Sequence, residues 1–402
     1  MRILLVTSQT IPHVGGLSTH FQLLERSLRQ NGMLAGVVTG RDIVPGFARY
    51  TSLCVSRFAG RDVARKRILE SCLERLSEIL RHTLQGRDSP GLIHCHDPLA
   101  SAAAHFALRG AAASIPVVQT VHGPWSREAL MGGAAPNGNQ VTYIRGLEET
   151  AFATASHLIP VDHGQADILS DAFCVTSAKM TVISNGIDTA SIARWSEAQL
   201  RVPIRQPYFV VPRRLVKKNG VEVALKALAR LPSQAVLAIS GDGPLRLQLE
   251  RSADALGISH RVLFLGNLPP ETLLPLMRGA LGVLIPSVPA DGVVEATSLA
   301  ALEGMACGTP ILVSDIGGLR EIVSRAGIGF LFPPGDDVAL ASAMRELEAM
   351  PKDEMSALRS RTLQAASAFD VRPWFDAIRA VYVDALASAP SRTTLVQTPV
   401  CQ

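Results

Sequence analysis

Short runs of Val, Ile and Leu alternate with longer amphipathic stretches along almost the whole chain, and they do so in two series. The first series runs from Ile3 to Ile183, and the second starts near Tyr208. Short, almost wholly apolar runs are typical of parallel strands buried on both faces, and the amphipathic stretches are typical of the helices that cover them. The sequence therefore predicts an α/β protein with two doubly wound sheets.

The pattern also locates the strands. In the first series strands are predicted at 3–7, 35–39, 92–96, 117–122, 157–161 and 180–183, and in the second at 209–212, 235–240, 262–265, 282–286 and 310–314. Helices are predicted between them, for example at 16–30, 65–84 and 99–113 in the first series and at 221–230, 270–278 and 299–306 in the second.

The chain has 402 residues, which are too many for one ordinary core and suit two domains. Apolar periodicity lapses between Asp188 and Pro207, so we predict an N-terminal domain at 1–190 and a C-terminal domain at 205–370. A helix at 371–387 follows the second sheet and could pack back on the first domain. Residues 388–402 are mostly small and polar and are predicted to be a disordered tail. One large mixed domain is the alternative.

Composition excludes several classes of protein. Apolar residues make up 47% of the chain, charged residues 18%, and the net charge is +4, which predicts a globular protein and no nucleic-acid partner. The six cysteines have no C-x-x-C spacing, which predicts neither a zinc site nor a disulfide framework. Since no signal-peptide core and no run of 18 apolar residues is present, we expect a cytoplasmic location.

The segment from Pro286 to Gly318 has the strongest functional pattern. A strand leads into a loop with Glu295, then Thr297 or Ser298 can cap a helix that starts at Leu299 and contains Glu303. A helix N-terminus at the carboxyl end of a parallel strand binds anionic ligands, and flanking carboxylates can bind sugar hydroxyls. The structural alternative is a solvated loop glutamate and an exposed helix glutamate.

Two further turns carry groups suited to a phosphate. Arg214 and Lys218 follow the first strand of the second domain, where a diphosphate needs fixed positive charge. Gly15 and Gly16 follow the first strand of the chain and leave backbone N–H groups accessible to an anion. The alternatives are a solvated basic turn and a plain tight turn. No G-x-G-x-x-G is present, so a nicotinamide fingerprint is absent.

Histidines end two strands of the first domain. His122 follows one strand, and His94 and His96 lie two apart on another, so that the two share a face. With Asp97 they suggest a metal site, but no third ligand has suitable spacing, and we interpret them as structural or acceptor-side residues. The alternative for His122 is a core histidine with backbone partners.

Several of these segments together resemble the retaining GT-B glycosyltransferases, in particular glycosyltransferase family 4, over about residues 1–387. The segment Glu295–Glu303 resembles the E-x7-E signature, and the other resembling motifs follow in family order: Gly15-Gly16, Ile93-His-Cys-His96, His122-Gly123, Ser184-Asn-Gly-Ile-Asp188, Arg214-Leu-Val-Lys-Lys218-Asn-Gly220 for RLxxxKG, and Gly241-Asp-Gly-Pro244. Each motif is weak alone, and their order is the specific signal.

The resemblance implies a GT-B fold, two Rossmann-like domains that face each other across a cleft. It implies transfer of a sugar, with retention, from a UDP-, GDP- or ADP-sugar to a glycan, lipid-linked or small-molecule acceptor, with no metal and no other cofactor. It assigns Arg214 and Lys218 to the leaving phosphates, Glu295 to the sugar and Glu303 to the ribose. Gly16 would donate a backbone N–H to the phosphate, and His122 would approach the sugar. Donor-binding residues are then Gly15, Gly16, Arg214, Lys218, Leu268, Glu295, Thr297, Ser298, Leu299 and Glu303.

The nucleotide pocket is further expected at strand ends near Tyr208 and Gly241, with backbone contacts to the base around Asn267–Leu268. The basic stretch Arg57–Arg67 is interpreted as a face for an anionic membrane or as a solvated helix face.

The chain departs from the family motifs at two places. Asn219 stands where the family has the lysine of RLxxxKG, so Lys218, or else Lys217, is expected to reach the phosphate. Ala296-Thr297-Ser298 stands where Gly-x-Gly is frequent, so hydroxyls are expected to share the phosphate-binding role. The alternatives are a sugar-nucleotide epimerase and a catalytically silent homologue.

Overall fold

The computed structural model describes residues 1–13, 15–43, 47–86, 89–109, 115–131, 133–200, 202, 204–290 and 292–388, without the side chains of 47–59 and 131. The chain forms two compact units. Unit 1 comprises Met1–Val161, Gln165–Ile183 and the chain from Phe375 onward, and unit 2 comprises Asp162–Gly164 and Ser184–Trp374. The predicted disordered tail lies outside the described residues, apart from Ser388.

Unit 1 contains a parallel sheet of five short strands. They are β1 (Ile3–Val6), β2 (Leu34–Val38), β3 (Leu92–Cys95), β4 (Val117–Val121) and β5 (His157–Pro160), in the order β2-β1-β3-β4-β5. The helices are α1 (Gly16–Gln30), α2 (Gly40–Ile43), α3 (Phe47–Gln85, bent at Gly60), α4 (Pro98–Leu108), α5 (Trp125–Met131), α6 (Asn139–Thr154) and α7 (His163–Phe173), whose first two residues are grouped with unit 2.

Unit 2 contains a parallel sheet of six strands. They are β6 (Tyr208–Pro212), β7 (Val236–Ser240), β8 (Val262–Gly266), β9 (Gly282–Ile285), β10 (Ile311–Ser314) and β11 (Phe330–Phe332), in the order β11-β10-β9-β6-β7-β8. The helices are α8 (Thr189–Ser196), α9 (Val221–Ala229), α10 (Arg246–Ala255), α11 (Pro270–Gly279), α12 (Leu299–Ala306), α13 (Gly317–Ala326), α14 (Asp337–Ala349) and α15 (Lys352–Ala366), and α16 (Val371–Ala387) follows.

Helices cover both faces of the sheet in unit 2. Along β6, Phe209 and Val211 lie in one buried core together with residues of α9 and α14. Tyr208 and Val210 lie in a second core together with residues of α11 and α12. Successive side chains of a strand point to opposite faces, so two cores with alternating members require apolar helices on both sides. The prediction of two doubly wound parallel sheets is confirmed.

The boundary between the units differs slightly from the predicted one. Residues 184–190, predicted to belong to the first domain, are grouped with unit 2 because they pack there. The Ile187 N–H donates to the Phe369 carbonyl (2.9 Å), and the Asn185 amide donates to the Thr297 carbonyl (3.1 Å). The final helix, α16, is grouped with unit 2 as far as Trp374 and with unit 1 from Phe375.

Among the described residues, no helix combines the length and apolar composition needed to cross a lipid bilayer. The four cysteines whose side chains are described, Cys72, Cys95, Cys174 and Cys307, are free thiols.

Candidate functional site

The first group of candidate residues lies at the carboxyl edge of the sheet in unit 2, where three turns meet. The turn after β6 is joined to the turn after β9 by a hydrogen bond from the Val288 N–H to the Lys218 carbonyl (2.8 Å). Gly220 ends the first of these turns with φ 59°, and a Cβ there would lie 1.8 Å from the Pro286 carbonyl oxygen. Only glycine fits, since it tolerates this backbone conformation and leaves room for the neighbouring chain.

The turn after β7 closes on the same place. A Cβ on Gly241 would lie 2.1 Å from the Arg213 carbonyl oxygen, and the Leu215 N–H donates to the Asp242 carbonyl (3.0 Å). The G-D-G sequence therefore lets this turn pack directly on the backbone of the turn after β6. The position of Arg213 is fixed by this packing.

A buried ion pair joins the turns after β6 and β9. Nη2 of Arg213 lies 2.8 Å from Oε1 of Glu295, and the two side chains are only 10% and 11% exposed. The guanidinium also donates to Asn219 Oδ1, to Ser287 Oγ (3.3 Å) and to Ser298 Oγ (3.1 Å). The central carboxylate of the predicted site is thus held in place by an arginine.

Helix α12 begins beside this pair, with Ser298 as its N-cap residue. The sequence predicts that the hydroxyl of Thr297 or Ser298 caps the helix, but the side chain of the N-cap residue Ser298 makes no cap hydrogen bond. The Ser298 hydroxyl accepts from Arg213 instead. Because the first N–H groups of a helix lack partners within the helix, this N-terminus has backbone donors with no side-chain cap, beside a guanidinium.

Glu303 lies on α12, in the fifth position of the helix. Its side chain is half-buried, and desolvation raises its pKa to about 7. A carboxyl group with this pKa changes protonation near neutral pH, so its ability to accept hydrogen bonds from hydroxyls depends on pH in that range.

The other predicted residues of unit 2 have different settings. Arg214 is exposed and Lys218 is partly buried, and neither side chain has a hydrogen bond or ion pair within the described part of the chain. Leu268 follows β8 and packs partly against the core. The prediction that Tyr208 lines the nucleotide pocket is wrong. It begins β6, about 13 Å from the carboxyl end, and its hydroxyl donates to the Leu276 carbonyl (2.8 Å).

The second group of candidates lies in unit 1, at the ends of β3 and β4. His20 of α1 meets His96 and His122, with ring centroids 5.3 and 4.7 Å away. His96 Nδ1 lies 3.4 Å from His122 Nε2. Burial, together with the neighbouring histidines, holds the pKa of His96 and of His122 well below the usual range. Neutral imidazoles suit hydrogen bonds to uncharged hydroxyls, and they are also zinc ligands.

His20 is the third candidate ligand, which sequence spacing does not reveal. One ring nitrogen each from His20, His96 and His122 lie within 4.8 Å of one another. In a tetrahedral zinc site two such nitrogens are about 3.4 Å apart, so at least one ring would have to move to bind an ion. Asp97 is not part of this group. Its carboxylate accepts from Thr7, Ser8 and the N–H of Ala100, where it caps α4.

His94 has a structural setting. Its ring is fully buried between the Tyr382 hydroxyl of α16, 2.6 Å from Nδ1, and the Thr120 hydroxyl, 2.8 Å from Nε2. Burial, together with the charge of His20, lowers the pKa of His94 to about 3. The ring is therefore neutral at physiological pH and accepts through one nitrogen and donates through the other.

Replacing Tyr382 with phenylalanine is expected to lower the free energy of unfolding by about 1–3 kcal/mol, because it leaves a buried ring nitrogen of His94 without its partner. Urea unfolding at pH 7.5 measures the change. Tyr143→Phe, at a partly exposed tyrosine of α6, is the matched control. Equal stability of the two variants would contradict the role given to Tyr382.

The remaining predicted residues lie in unit 1. Gly15 and Gly16 stand at the start of α1, and no side chain caps this helix. In the basic stretch, the side chains of Arg57–Ala59 lie outside the described residues, and Arg61, Arg65 and Arg67 are exposed on α3.

The chain is similar to known proteins in sequence and in structure. The profile of the family described as "Glycosyl transferases group 1" matches residues 196–364, and that of "Glycosyltransferase Family 4" matches residues 14–191. A glycogen synthase of Mycobacterium tuberculosis is 30% identical over 300 residues, which are 74% of this chain and 69% of that protein.

Two solved structures are similar to this chain over nearly its whole length. The sucrose-phosphate synthase of Thermosynechococcus elongatus has a TM-score of 0.75 at 19% identity, and the match covers 96% of this chain and 100% of that chain. HepE of Anabaena in complex with UDP-glucose has a TM-score of 0.70 at 19% identity with the same coverage. At this identity the likeness shows that the chain has the fold of these proteins.

Proposed function

Because the chain belongs to the family 4 glycosyltransferases with the GT-B fold, and is a glycosyltransferase, we propose that it transfers a sugar from a nucleoside diphosphate sugar to a hydroxyl acceptor with retention of configuration. The observation that carries this proposal is the buried Arg213–Glu295 pair beside the uncapped N-terminus of α12. It combines a cation, backbone donors and a carboxylate, which a diphosphate joined to a sugar requires.

Each part of the donor has a suitable partner in unit 2. The leaving diphosphate binds the N–H groups at the start of α12 and basic side chains of the turn after β6. Glu295 accepts hydrogen bonds from hydroxyls of the transferred sugar, and Glu303 accepts from the ribose. The complex of HepE with UDP-glucose supports a nucleotide sugar as the donor.

The transfer step that we propose needs no covalent intermediate. The bond from the anomeric carbon to the diphosphate oxygen breaks, and the acceptor oxygen bonds to the same face of that carbon. The acceptor proton passes to the departing phosphate oxygen. The protein's contribution is positive charge and N–H donors at the place where negative charge develops. In unit 1, the neutral ring of His122 offers a hydrogen bond to an uncharged sugar hydroxyl.

Arginine, lysine and a helix N-terminus supply the charge that a metal ion would otherwise provide, so we propose that catalysis is independent of metal. Turnover is expected to be unchanged by EDTA and by added Mg²⁺ or Mn²⁺. A rate that is lost with chelator and restored by Zn²⁺ alone would instead assign a metal to His20, His96 and His122.

The proposal is tested by incubating the protein with UDP-, GDP- and ADP-glucose and following release of nucleoside diphosphate. Slow hydrolysis is expected with at least one donor, and proton NMR of the freshly released glucose is expected to show the α-anomer first. Binding of a donor without turnover would favour a silent homologue, for which Asn219 is the motivating residue. If the protein neither binds nor turns over any of these donors, the proposed function is excluded.

As the pH is lowered below about 7, the affinity for the nucleotide sugar is expected to weaken by up to about tenfold per pH unit. The reason is that the ribose binds the ionised form of Glu303. Titration calorimetry between pH 8 and 6 measures this dependence. The Glu303→Gln variant should bind more weakly at pH 8 and lose the dependence, since a glutamine does not titrate. A wild-type affinity that is flat over this range would show that Glu303 does not contact the donor.

A membrane contact through the exposed arginines of α3 stays a proposal. Co-sedimentation with anionic and with neutral vesicles at 0.15 M salt tests it, and binding to neither kind would remove it.

A further inference from the structure

Arg213 is held more firmly than any of the cations that the sequence assigns to the phosphates. Its guanidinium contacts Glu295 in the loop before α12, Ser298 at the helix start, Ser287 after β9 and Asn219 in its own turn. These contacts fix both terminal nitrogens. By contrast, the exposed Arg214 side chain has no such contact among the described residues.

The Nε–H donor of Arg213 is buried and has no acceptor among the described residues. A buried donor without an acceptor is unfavourable, and a charged one more so, unless a ligand or water supplies the acceptor. A buried ion pair is also weak evidence for a purely stabilising role, because desolvation offsets its attraction. Both observations point to a ligand.

Asn219 explains how the arginine is held. Its Oδ1 accepts from Arg213, while its Nδ2 donates to the Arg214 carbonyl (2.7 Å), and the side chain is 95% buried. Asn219 also occupies the position at which the RLxxxKG motif has a lysine. The amide of Asn219 carries no charge, but it accepts a hydrogen bond from the Arg213 guanidinium. The positive charge that the motif's lysine would supply is therefore adjacent to position 219.

We propose that Arg213 supplies the cation that binds the leaving diphosphate, in place of the lysine that is missing at position 219, and that Asn219 positions it. This inference rests on the proposed function. Arg213 offers Nε–H to a phosphate oxygen beside the N–H groups of α12, while Nη2 keeps hold of Glu295. A single residue then links the leaving group to the carboxylate that holds the sugar. Lys218, to which sequence spacing assigns this role, is not required for it.

The exchange of positions can be tested directly, because Arg213 Nη2 and Asn219 Oδ1 are in contact. A lysine at 219 can place its ammonium group where the guanidinium lies. The variants are Arg213→Met, Arg213→Lys, Lys218→Met and the double variant Arg213→Met/Asn219→Lys. Glu222→Gln, an exposed charge change on α9, serves as the control for folding and handling.

The measured quantity is the gain in affinity from nucleoside to nucleoside diphosphate, with UDP against uridine, GDP against guanosine and ADP against adenosine. We expect Arg213→Met to lose at least about tenfold of this gain, to leave nucleoside affinity unchanged, and to lower kcat/KM at least about a hundredfold. The double variant should recover kcat/KM to within about tenfold of wild type. Arg213→Lys should keep most of the gain, and Lys218→Met should change it less than threefold.

Urea unfolding of each variant shows whether it is folded. If Arg213→Met does not fold, Arg213→Lys and the double variant still test the inference. Retention of the diphosphate gain by Arg213→Met, with its loss in Lys218→Met, would overturn the inference and leave the proposed function in place. If kcat/KM of the double variant does not exceed that of Arg213→Met, the inference that a lysine at 219 can replace Arg213 is overturned. A wild-type protein that binds no nucleoside diphosphate would remove both the proposed function and this inference.

Discussion

Glu295→Gln is expected to lower the rate of sugar transfer by about a hundredfold or more while leaving donor affinity within about tenfold. The substitution keeps the size of the side chain but removes the charge that holds Arg213 at 2.8 Å. The guanidinium is then free to move relative to the sugar, and the hydroxyls of the sugar lose a charged acceptor. Loss of one fixed electrostatic contact in a transition state typically costs about 10²–10³ in rate.

Steady-state kinetics on the Glu295→Gln variant, with Glu222→Gln as the matched loss of an exposed carboxylate, measures this effect. Wild-type kinetics in Glu295→Gln would contradict the central position given to the ion pair.

The same pair has a stability test. Truncation by Glu295→Ala leaves the Arg213 charge buried and unpaired, which typically costs about 3–5 kcal/mol. The double variant Arg213→Met/Glu295→Ala is expected to be more stable than Glu295→Ala alone, since no unpaired charge remains. Additive losses in urea unfolding would show that the two side chains do not interact.

Gly220→Ala is expected to lower the free energy of unfolding by about 3 kcal/mol or more. A Cβ at this position lies 1.8 Å from the Pro286 carbonyl oxygen, so the turns after β6 and β9 must separate. The positive φ of 59° adds about 1–2 kcal/mol for any residue with a Cβ. Because the displaced turn carries Arg213, activity should fall as well.

Gly257→Ala separates the two causes. Gly257 also has a positive φ, 70°, but a Cβ there meets no atom within 4 Å. The Gly257→Ala variant is expected to lose only about 1–2 kcal/mol and to keep full activity. If Gly220→Ala and Gly257→Ala unfold at the same urea concentration, the close approach of the two turns has no energetic consequence.

The fold was predictable because buried parallel strands have a strong local signal. Runs such as 282–286 are wholly apolar, and ten of the eleven strands begin and end within two residues of a predicted run. Strand β11 is only three residues long, and two of them are not fully buried, so it has no periodicity to detect. The run at 180–183 forms only an isolated bridge, between Leu158 and Met180, because no further strand continues that edge.

The site was only partly predictable, and the reason is geometric. Arg213 and Arg214 are adjacent at the end of β6, and neighbouring side chains there point in different directions. Sequence spacing alone favours Arg214 through its motif, while the contacts to Glu295 and Asn219 belong to Arg213. The sequence of the loop also does not reveal that the Ser298 hydroxyl accepts from Arg213 and does not cap α12.

His20 illustrates the same limit in unit 1. It lies on an amphipathic helix, 76 positions before His96 in the sequence, and no local motif relates the two. Only the packing of α1 on the sheet brings its ring to His96 and His122. Contacts between distant segments depend on tertiary packing, which periodicity does not encode.

The donor is expected to bind at the carboxyl edge of the sheet in unit 2, and hydrogen–deuterium exchange with and without a saturating nucleotide sugar tests this placement. Exchange should become slower in the turn 213–220 and at the first amides of α12, Leu299–Ala301, with smaller changes in the sheet. Protection confined to unit 1, or no protection in these two segments at saturation, would contradict this placement of the donor.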